Sequence, residues 1–305
     1  MKKEHREGAT HISVLSQELI SGLALEKNDV VVDATINGGG HSILISKALS
    51  TEGILLGIDL DSDALQEAHE RLREAPARVI LKEGNYRSVD RFLAEENISH
   101  INKAVFDLGM SSRQLDLSGR GFSFRRDEPL LMTFGKEPKK GDLTAREIIN
   151  EWEEEHIADI LEGYGEERYA KRIAHAITTA RLEKPITTTF GLVYLIEEAV
   201  PTSYKRRRVH PATKTFQALR IAVNDEIRGL EEALEKIRHY LSKNGRIGVI
   251  SFHSMEDRVV KRTFKTWEVE GIGTVLTKRP LTPTPEEKEK NPRARSAKLR
   301  FFQKH

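Results

Sequence analysis

The segment Val30-Val-Val-Asp-Ala-Thr-Ile-Asn-Gly-Gly-Gly-His-Ser42 indicates the architecture of the chain. An apolar, β-branched run is followed by three consecutive glycines and then by a helical pattern over residues 42–49. Glycine is required where backbone approaches a ligand closely or takes a positive φ. The segment therefore predicts a buried strand, a tight ligand-binding turn and a helix.

The first third of the chain repeats this alternation, which is typical of βαβ units and a parallel sheet. Helices are predicted at residues 62–73, with Asp61 or Ser62 as N-cap, and at residues 89–96. The predicted strands of this part cover residues 30–35, 54–59, 79–83 and 103–108.

The middle of the chain has a different pattern. Residues 143–200 show helical periodicity without a convincing strand, interrupted by Gly163, Gly165 and Pro185, which predicts an inserted helical domain. The alternation then resumes with a long helix at 216–241 and a second helix at 256–267, and three further strands are predicted at 246–251, 274–277 and 298–302. We therefore expect a seven-stranded, mostly parallel α/β domain in two parts, residues 1–110 and 215–305, around an inserted domain of residues 111–214.

Composition narrows the class of protein. The formal net charge of the 305 residues is only +2, the chain contains no cysteine, and no apolar run approaches the roughly 20 residues that cross a bilayer. Disulfides and thiolate-metal sites are excluded, and we expect a cytoplasmic protein with no membrane partner and no metal. The charges are segregated: residues 142–167 hold ten acidic side chains, whereas residues 203–220 hold six Lys/Arg and no acid. Such a basic segment suits a polyanion or a solvated helix face.

A second carboxylate supports a nucleoside cofactor. Asp59 lies nineteen residues after Gly40, at the end of the next predicted strand, where it can accept hydrogen bonds from both ribose hydroxyls. NAD enzymes and class I methyltransferases share this arrangement. The spacing from Asp33 to Gly38, Gly39 and Gly40 favours the methyl donor S-adenosylmethionine, because Asp33 can face its cationic end whereas a pyrophosphate would be repelled. This spacing, together with Asp59, favours a Rossmann-like class I methyltransferase fold. His41 either contacts the ligand or caps the helix.

Five further blocks resemble the bacterial family that methylates N4 of a cytosine in the decoding centre of 16S rRNA. They cover residues 107–116, 120–125, 210–224, 250–258 and 291–300. The resemblance implies S-adenosylmethionine contacts at Gly39, Gly40, His41, Asp59, Tyr86, Asp107 and Gln114. The chain departs from the family pattern at Asn37, Arg113, Leu131 and Thr133, of which Asn37 is tolerable because Asn also visits left-handed backbone.

Methyl transfer needs an oriented nucleophile, and cytosine N4 is a poor one because its lone pair is delocalised into the ring. Asp107, at the carboxyl end of the fourth predicted strand, is the carboxylate expected to contact the cofactor and the target amine. His253, after the fifth strand, is a second candidate base. Each residue also has a non-catalytic alternative. Asp107 could fix a loop through backbone hydrogen bonds, and His253 could serve only to stabilise the fold.

The basic segment is the predicted RNA surface of the small ribosomal subunit substrate. Arginines there can pair with phosphates and stack on splayed bases, which suits a cytosine turned out of its stack. The predicted RNA contacts are Lys205, Arg206, Arg207, Arg208, His210 and Lys214. The alternatives are a methyltransferase acting on another RNA or on DNA, a nucleotide-dependent oxidoreductase, and a non-catalytic RNA-binding assembly factor.

Overall fold

The computed structural model describes residues 13–136 and 141–305, and the chain forms two compact units. The first unit comprises Met1–Gly109 and Gly229–His305, and the second comprises Met110–Arg228. The inserted unit begins within one residue of the predicted boundary. Its end is corrected from residue 214 to Arg228, because Phe216, Ala218 and Leu219 belong to the hydrophobic core of the inserted helices.

The first unit is built on one seven-stranded sheet, as predicted. Its strand order is β3-β2-β1-β4-β5-β7-β6. The first five of these strands run parallel, and β7 pairs antiparallel with both β5 and β6, which makes the sheet mostly parallel. The strands are β1 Val30–Asp33, β2 Ile54–Asp59, β3 Arg78–Glu83, β4 Ile101–Asp107, β5 Leu241–Ser251, β6 Gly273–Val275 and β7 Lys298–Lys304.

Fourteen α-helices are present in the described ranges. Asp61 is the N-cap of α3, since its side chain accepts a hydrogen bond from the Asp63 amide at 3.1 Å. The helices are α1 Ser16–Leu23, α2 Gly40–Ala48, α3 Ser62–Arg71, α4 Val89–Glu95, α5 Ser112–Leu117, α6 Ala145–Glu151, α7 Glu154–Gly163, α8 Ala170–Glu183, α9 Thr189–Ala199, α10 Thr202–Lys205, α11 Ala212–Asn224, α12 Glu226–Tyr240, α13 Ser254–Val269 and α14 Pro285–Lys290.

Each unit has its own hydrophobic core. In the first, Val31, Leu55 and Val105 of the central strands are fully buried with residues of α1 and α2, as expected for a sheet that is covered on both faces. In the second, most of the buried side chains come from α6 to α11, which confirms the helical character predicted for residues 143–200, and Phe122, Leu130 and Met132 join them from the preceding segment. No helix in the part of the chain that the structure describes is long and apolar enough to cross a bilayer.

The predicted single helix over residues 216–241 is wrong in one respect: it is two helices, α11 and α12. Asp225 interrupts them in the left-handed conformation, with φ of 46°. The guanidinium of Arg220 spans this break and donates to both carboxylate oxygens of Glu226 at 2.8 Å. Periodicity does not reveal the break, because apolar residues continue with helical spacing on both sides of it. Asp is one of the few residues that adopts the left-handed backbone at low cost.

Candidate active site

Three carboxylates lie at one edge of the sheet. Asp33 ends β1, Asp59 ends β2 and Asp107 ends β4, and these three strands are neighbours in the order β2-β1-β4. The strands are parallel, so all three side chains lie at the carboxyl edge, where open α/β sheets bind their ligands. The structure thus brings together three of the residues predicted from sequence.

The glycine turn joins β1 to α2 through left-handed backbone. Asn37, Gly38 and Gly39 have φ of 46°, 79° and 84°, which confirms that Asn is tolerated here. A Cβ on Gly39 would lie 3.3 Å from the Cα of Ala68 on α3, so a side chain there would be both strained and crowded. Gly40 begins α2, and its helix N-terminus faces the same edge of the sheet.

Asp59 holds this turn and keeps acceptor capacity. Its carboxylate accepts hydrogen bonds from the backbone amides of Asn37 at 3.0 Å and Asp61 at 2.9 Å. A carboxylate offers about four lone-pair positions, so two remain for the hydroxyls of a ribose. Desolvation around this half-buried residue raises the pKa of Asp59 to about 6.

Asp33 is buried and bound to the ends of the same turn. It accepts a hydrogen bond from the Ser42 hydroxyl at 2.6 Å and one from the Thr35 amide at 3.3 Å. Burial raises the pKa of Asp33, although the Ser42 hydrogen bond opposes this. Asp33 is therefore a positioning residue for β1, the turn and α2, and its direct contact with the methyl donor stays a prediction.

His41 and Asp107 form a buried pair. The His41 Nδ1 lies 3.3 Å from Asp107 Oδ2, and His41 Nε2 lies 2.9 Å from the Val14 carbonyl oxygen, which can only accept. Burial disfavours the imidazolium, but the charge of Asp107 and its hydrogen bond prevail and raise the pKa of His41 to about 8. His41 is thus a charged partner of Asp107, a role that the sequence did not suggest.

Asp107 is held in place and has one free oxygen. Its amide donates to Thr35 Oγ1 at 2.6 Å, and its carbonyl accepts from Asn37 Nδ2 at 3.0 Å. The Oδ1 atom is buried and has no hydrogen-bond partner within the described residues. A buried carboxylate oxygen in this state costs free energy unless a ligand satisfies it. The geometry is therefore that of a ligand-binding carboxylate.

Tyr86 follows β3 in a 3-10 turn, Tyr86–Ser88. Its ring packs edge-on against Phe106 of β4, with centroids 5.9 Å apart and planes at 77°. Phe106 is fully buried, so this contact fixes the tyrosine ring beside the strand that ends at Asp107. The predicted packing of Tyr86 on adenine stays a prediction.

His253 has a structural role. It is the N-cap of α13, and its Nδ1 accepts from the Glu256 amide at 3.3 Å. The proton is then on Nε2, which lies 3.1 Å from Glu256 Oε1. Nδ1 is therefore used by the helix cap, whereas the buried Nε2 makes no hydrogen bond within the described residues in spite of this short distance. A role of His253 as base stays a prediction.

The remaining predicted residues belong to the second unit. Gln114 is buried and forms a capping box with Ser111, in which its Oε1 accepts from the Ser111 amide at 3.1 Å. His210 stacks on Phe124 at 4.6 Å, and Lys214 donates to the Glu166 carbonyl.

The arginines of the basic segment are exposed. Arg207 lies over the ring of Tyr204 at 4.9 Å. Arg206 and Arg208 have no carboxylate partner within residues 13–136 and 141–305, so their charges are available to a polyanion.

The sequence pattern of the MraW methylase family matches residues 8–305. The chain belongs to this family. It is 43% identical over 309 residues to the ribosomal RNA small subunit methyltransferase H of Clostridium botulinum (strain Kyoto / Type A2), with 96% of this chain and 98% of that protein covered. The protein of the same name from Sulfurihydrogenibium sp. (strain YO3AOP1) is 44% identical over 290 residues, with 95% and 97% covered.

The solved structures that match the chain have much lower sequence identity. An rRNA methylase from Streptococcus thermophilus matches with a TM-score of 0.42 at 13% identity, covering 95% of this chain and 93% of that one. NSun6 from Pyrococcus horikoshii matches with a TM-score of 0.46 at 11% identity, covering 96% and 52%.

Membership of the MraW methylase family decides between the enzyme classes left open by the sequence. The protein is a methyltransferase and its cofactor is S-adenosylmethionine, which excludes the oxidoreductase alternative. The site fits this cofactor on two observations: the turn at Gly39 has no room for a side chain, and Asp107 Oδ1 is buried without a partner. The sequence analysis did not predict a role for Thr35, Ser42 or Val14. Thr35 and Ser42 nevertheless flank the glycine turn, within the same segment that identified the turn.

Replacing Asp59 by alanine is expected to weaken S-adenosylmethionine binding in this MraW-family enzyme by about 1 to 3 kcal/mol, because the ribose hydroxyls lose their acceptor. Isothermal titration at pH 7.5 measures this. Since the pKa of Asp59 is about 6, wild-type affinity should also fall as the pH decreases from 7 to 5. Asp59→Ala should lack that pH dependence, and an unchanged dissociation constant in the variant would remove Asp59 from the ribose site.

Proposed function

We propose that the protein transfers the methyl group of S-adenosylmethionine to N4 of a cytosine in the decoding centre of 16S rRNA. The observation that carries the chemistry is the buried, unpartnered Oδ1 of Asp107 at the carboxyl edge of the sheet. Relatives at 43% identity, which are named ribosomal RNA small subunit methyltransferases, support the class of substrate. The sequence blocks that resemble the cytosine-N4 family support the atom that is methylated.

In this proposal, backbone groups of the turn and the Asp59 carboxylate hold the nucleoside, and Tyr86 packs on its adenine. Bound S-adenosylmethionine supplies an electrophilic methyl group on a cationic sulphur. The carboxylates of Asp33 and Asp107 make the edge of the sheet electronegative, which favours a cation there. Asp33 acts indirectly, since it fixes the backbone of the turn through Thr35 and Ser42.

Asp107 orients the nucleophile. Its Oδ1 accepts a hydrogen bond from the N4 amine of the cytosine, which aligns the nitrogen with the methyl group and holds the proton that the product loses. His41 binds the other oxygen and keeps the carboxylate in one orientation. Positioning of this kind can supply roughly 7 to 11 kcal/mol of the barrier reduction, so that a separate strong base is unnecessary.

Labelled methyl transfer tests the proposal directly. Purified protein is incubated with labelled S-adenosylmethionine and either unmodified small subunits or free 16S rRNA, and the nucleosides are separated by mass spectrometry. The expected result is one labelled N4-methylcytidine per 16S rRNA molecule, in the decoding centre. Label on another nucleoside, on another RNA or on DNA would overturn the assignment. Tight RNA binding without any label would indicate a non-catalytic assembly factor.

Neutralising Arg206, Arg207 and Arg208 to glutamine is expected to weaken RNA binding and to flatten its salt dependence. Each lost phosphate contact on a single strand reduces the slope of log K against log salt by about 0.7, so the triple variant should lose about 2. Filter binding at several salt concentrations measures the slope. The matched control is the same triple substitution at Lys261, Arg262 and Lys265, which are exposed on α13. Equal slopes for the wild type and the 206–208 variant would place the RNA surface elsewhere.

A further inference from the structure

Helix α9 exposes two aromatic rings one turn apart. Phe190 is 49% exposed and Tyr194 is 65% exposed. Among the large hydrophobic side chains that are exposed within residues 13–136 and 141–305, these two are the aromatic ones. Residues four apart lie on the same face of a helix, with Cβ atoms about 5 to 6 Å apart. The two rings therefore lie on one face of α9.

This surface is not needed to attach α9 to its unit. The helix is anchored by Leu192, Ile196 and Ala199, which are buried in the core of the second unit. Aromatic side chains contribute most to stability when buried, so two exposed rings on one face gain little for the fold. Two exposed aromatic rings on one helix face are therefore a candidate interaction surface.

Exposed cations lie at the first end of the aromatic face. Segment 126–128 is tied to the N-terminus of α9, where Thr189 Oγ1 donates to the Arg126 carbonyl and the Phe190 amide donates to Asp127 Oδ1 at 3.2 Å. Arg125 and Arg126 are exposed and have no carboxylate partner in the described part of the chain. Two exposed arginines thus belong to the segment that is hydrogen-bonded to the N-terminus of α9 beside Phe190.

Further cations lie at the other end. Glu197 and Glu198 follow Tyr194 on the same helix face, and their carboxylates lie 3.4 Å from His210 Nε2 and Lys205 Nζ. These contacts attach the basic segment to α9, and Lys205 offsets the charge of Glu198. Arg206 and Arg208, which are exposed and have no carboxylate partner in the described part of the chain, lie between the two residues that make these contacts.

We propose that Phe190 and Tyr194 are a stacking platform for two unstacked bases of the RNA, with arginines at both ends on the flanking phosphates. Aromatic rings between basic groups are the arrangement that binds single-stranded nucleic acid, because every base has a π-face and every nucleotide a charge. The inference rests on the proposed function, in which the substrate is RNA. It adds that the RNA binds here as splayed, single-stranded nucleotides. Cations at both ends of the platform favour a polyanion over an apolar protein partner.

The test compares Phe190→Ala, Tyr194→Ala and the double variant with Phe190→Trp/Tyr194→Trp. The probe is a fluorescent single-stranded RNA of about 12 nucleotides from the decoding centre, within the usual range of 4 to 16. Fluorescence anisotropy should show about tenfold weaker binding per ring removed, equivalent to about 1.4 kcal/mol. The tryptophan variant should bind like the wild type. Leu182→Ala, at an 84% exposed position on α8, is the control for loss of an exposed apolar side chain and should leave the affinity unchanged.

The KM for unmodified small subunits should rise in parallel, whereas the affinity for S-adenosylmethionine and the melting temperature should stay at wild-type values. RNA affinity equal to the wild type in the double alanine variant would overturn the inference. A changed oligomeric state at constant RNA affinity, measured by light scattering, would overturn it in favour of a protein interface. Fluorescence anisotropy measures RNA binding without methyl transfer. The stacking platform and the proposed methylation can therefore be confirmed or refuted independently of each other.

Discussion

Replacing Asp107 by asparagine is expected to lower kcat by about 10²- to 10⁴-fold, the range for loss of a positioned acid-base group. The variant keeps the size and shape of the side chain, and the Thr35 and Asn37 hydrogen bonds are made by the Asp107 backbone, so they survive. What it loses is the negative charge and the ability to hold a proton at Oδ1. Single-turnover methylation of unmodified small subunits measures the effect without contribution from product release.

Two controls make this result specific. Glu74→Gln removes an exposed carboxylate from the same unit and should leave kcat unchanged. Because Asp107→Asn also removes the charged partner of His41, its melting temperature should fall, and kcat is therefore measured at a temperature at which the variant is fully folded. A kcat within threefold of the wild-type value would show that Asp107 only fixes the loop, the structural alternative for this residue.

The parallel part of the fold follows from local patterns. Strand β1 is a β-branched run and β4 is a largely buried strand, and the turn between β1 and α2 needs left-handed backbone that Asn37, Gly38 and Gly39 provide at low cost. The N-cap at Asp61 also follows from residue type, because a short polar side chain satisfies an amide of the first turn. These features depend on residues close together in sequence, which is why a single sequence predicts them.

The features that depend on distant residues were not predictable. The helix breaks at Asp225, and the inserted unit ends after α11 because α11 packs into the core of that unit. Periodicity shows only that one face of a helix is apolar and does not show which core this face joins. The pair between His41 and Asp107 joins residues 66 positions apart in the chain, on α2 and β4. The sequence predicted that Asp107 contacts a ligand and left His41 between ligand contact and helix capping, and it could not show that one residue holds the other.

Replacing His41 by alanine is expected to destabilise the cofactor-free protein by about 3 to 5 kcal/mol at pH 6, since it leaves the carboxylate of Asp107 buried without a partner. His41 and Asp107 are only 4% and 8% exposed, so solvent compensates little. Urea denaturation measures the free energy of unfolding. His41→Gln, whose amide can still donate to Asp107, should be the milder variant, and equal stability of all three proteins would show that the pair contributes nothing.

The pH dependence has a definite sign. The pKa of His41 is raised from 6.5 to about 8 in the folded protein, so the folded state binds the proton more tightly than the unfolded state. The stabilisation is therefore complete below pH 6.5 and is lost as the pH rises through 8, with an amplitude of about 2 kcal/mol. Between pH 6 and 9.5, wild-type stability should fall by that amount relative to His41→Gln. The comparison with this variant cancels the titration of Asp59 near pH 6, and parallel stability curves would show that His41 is neutral in the folded protein.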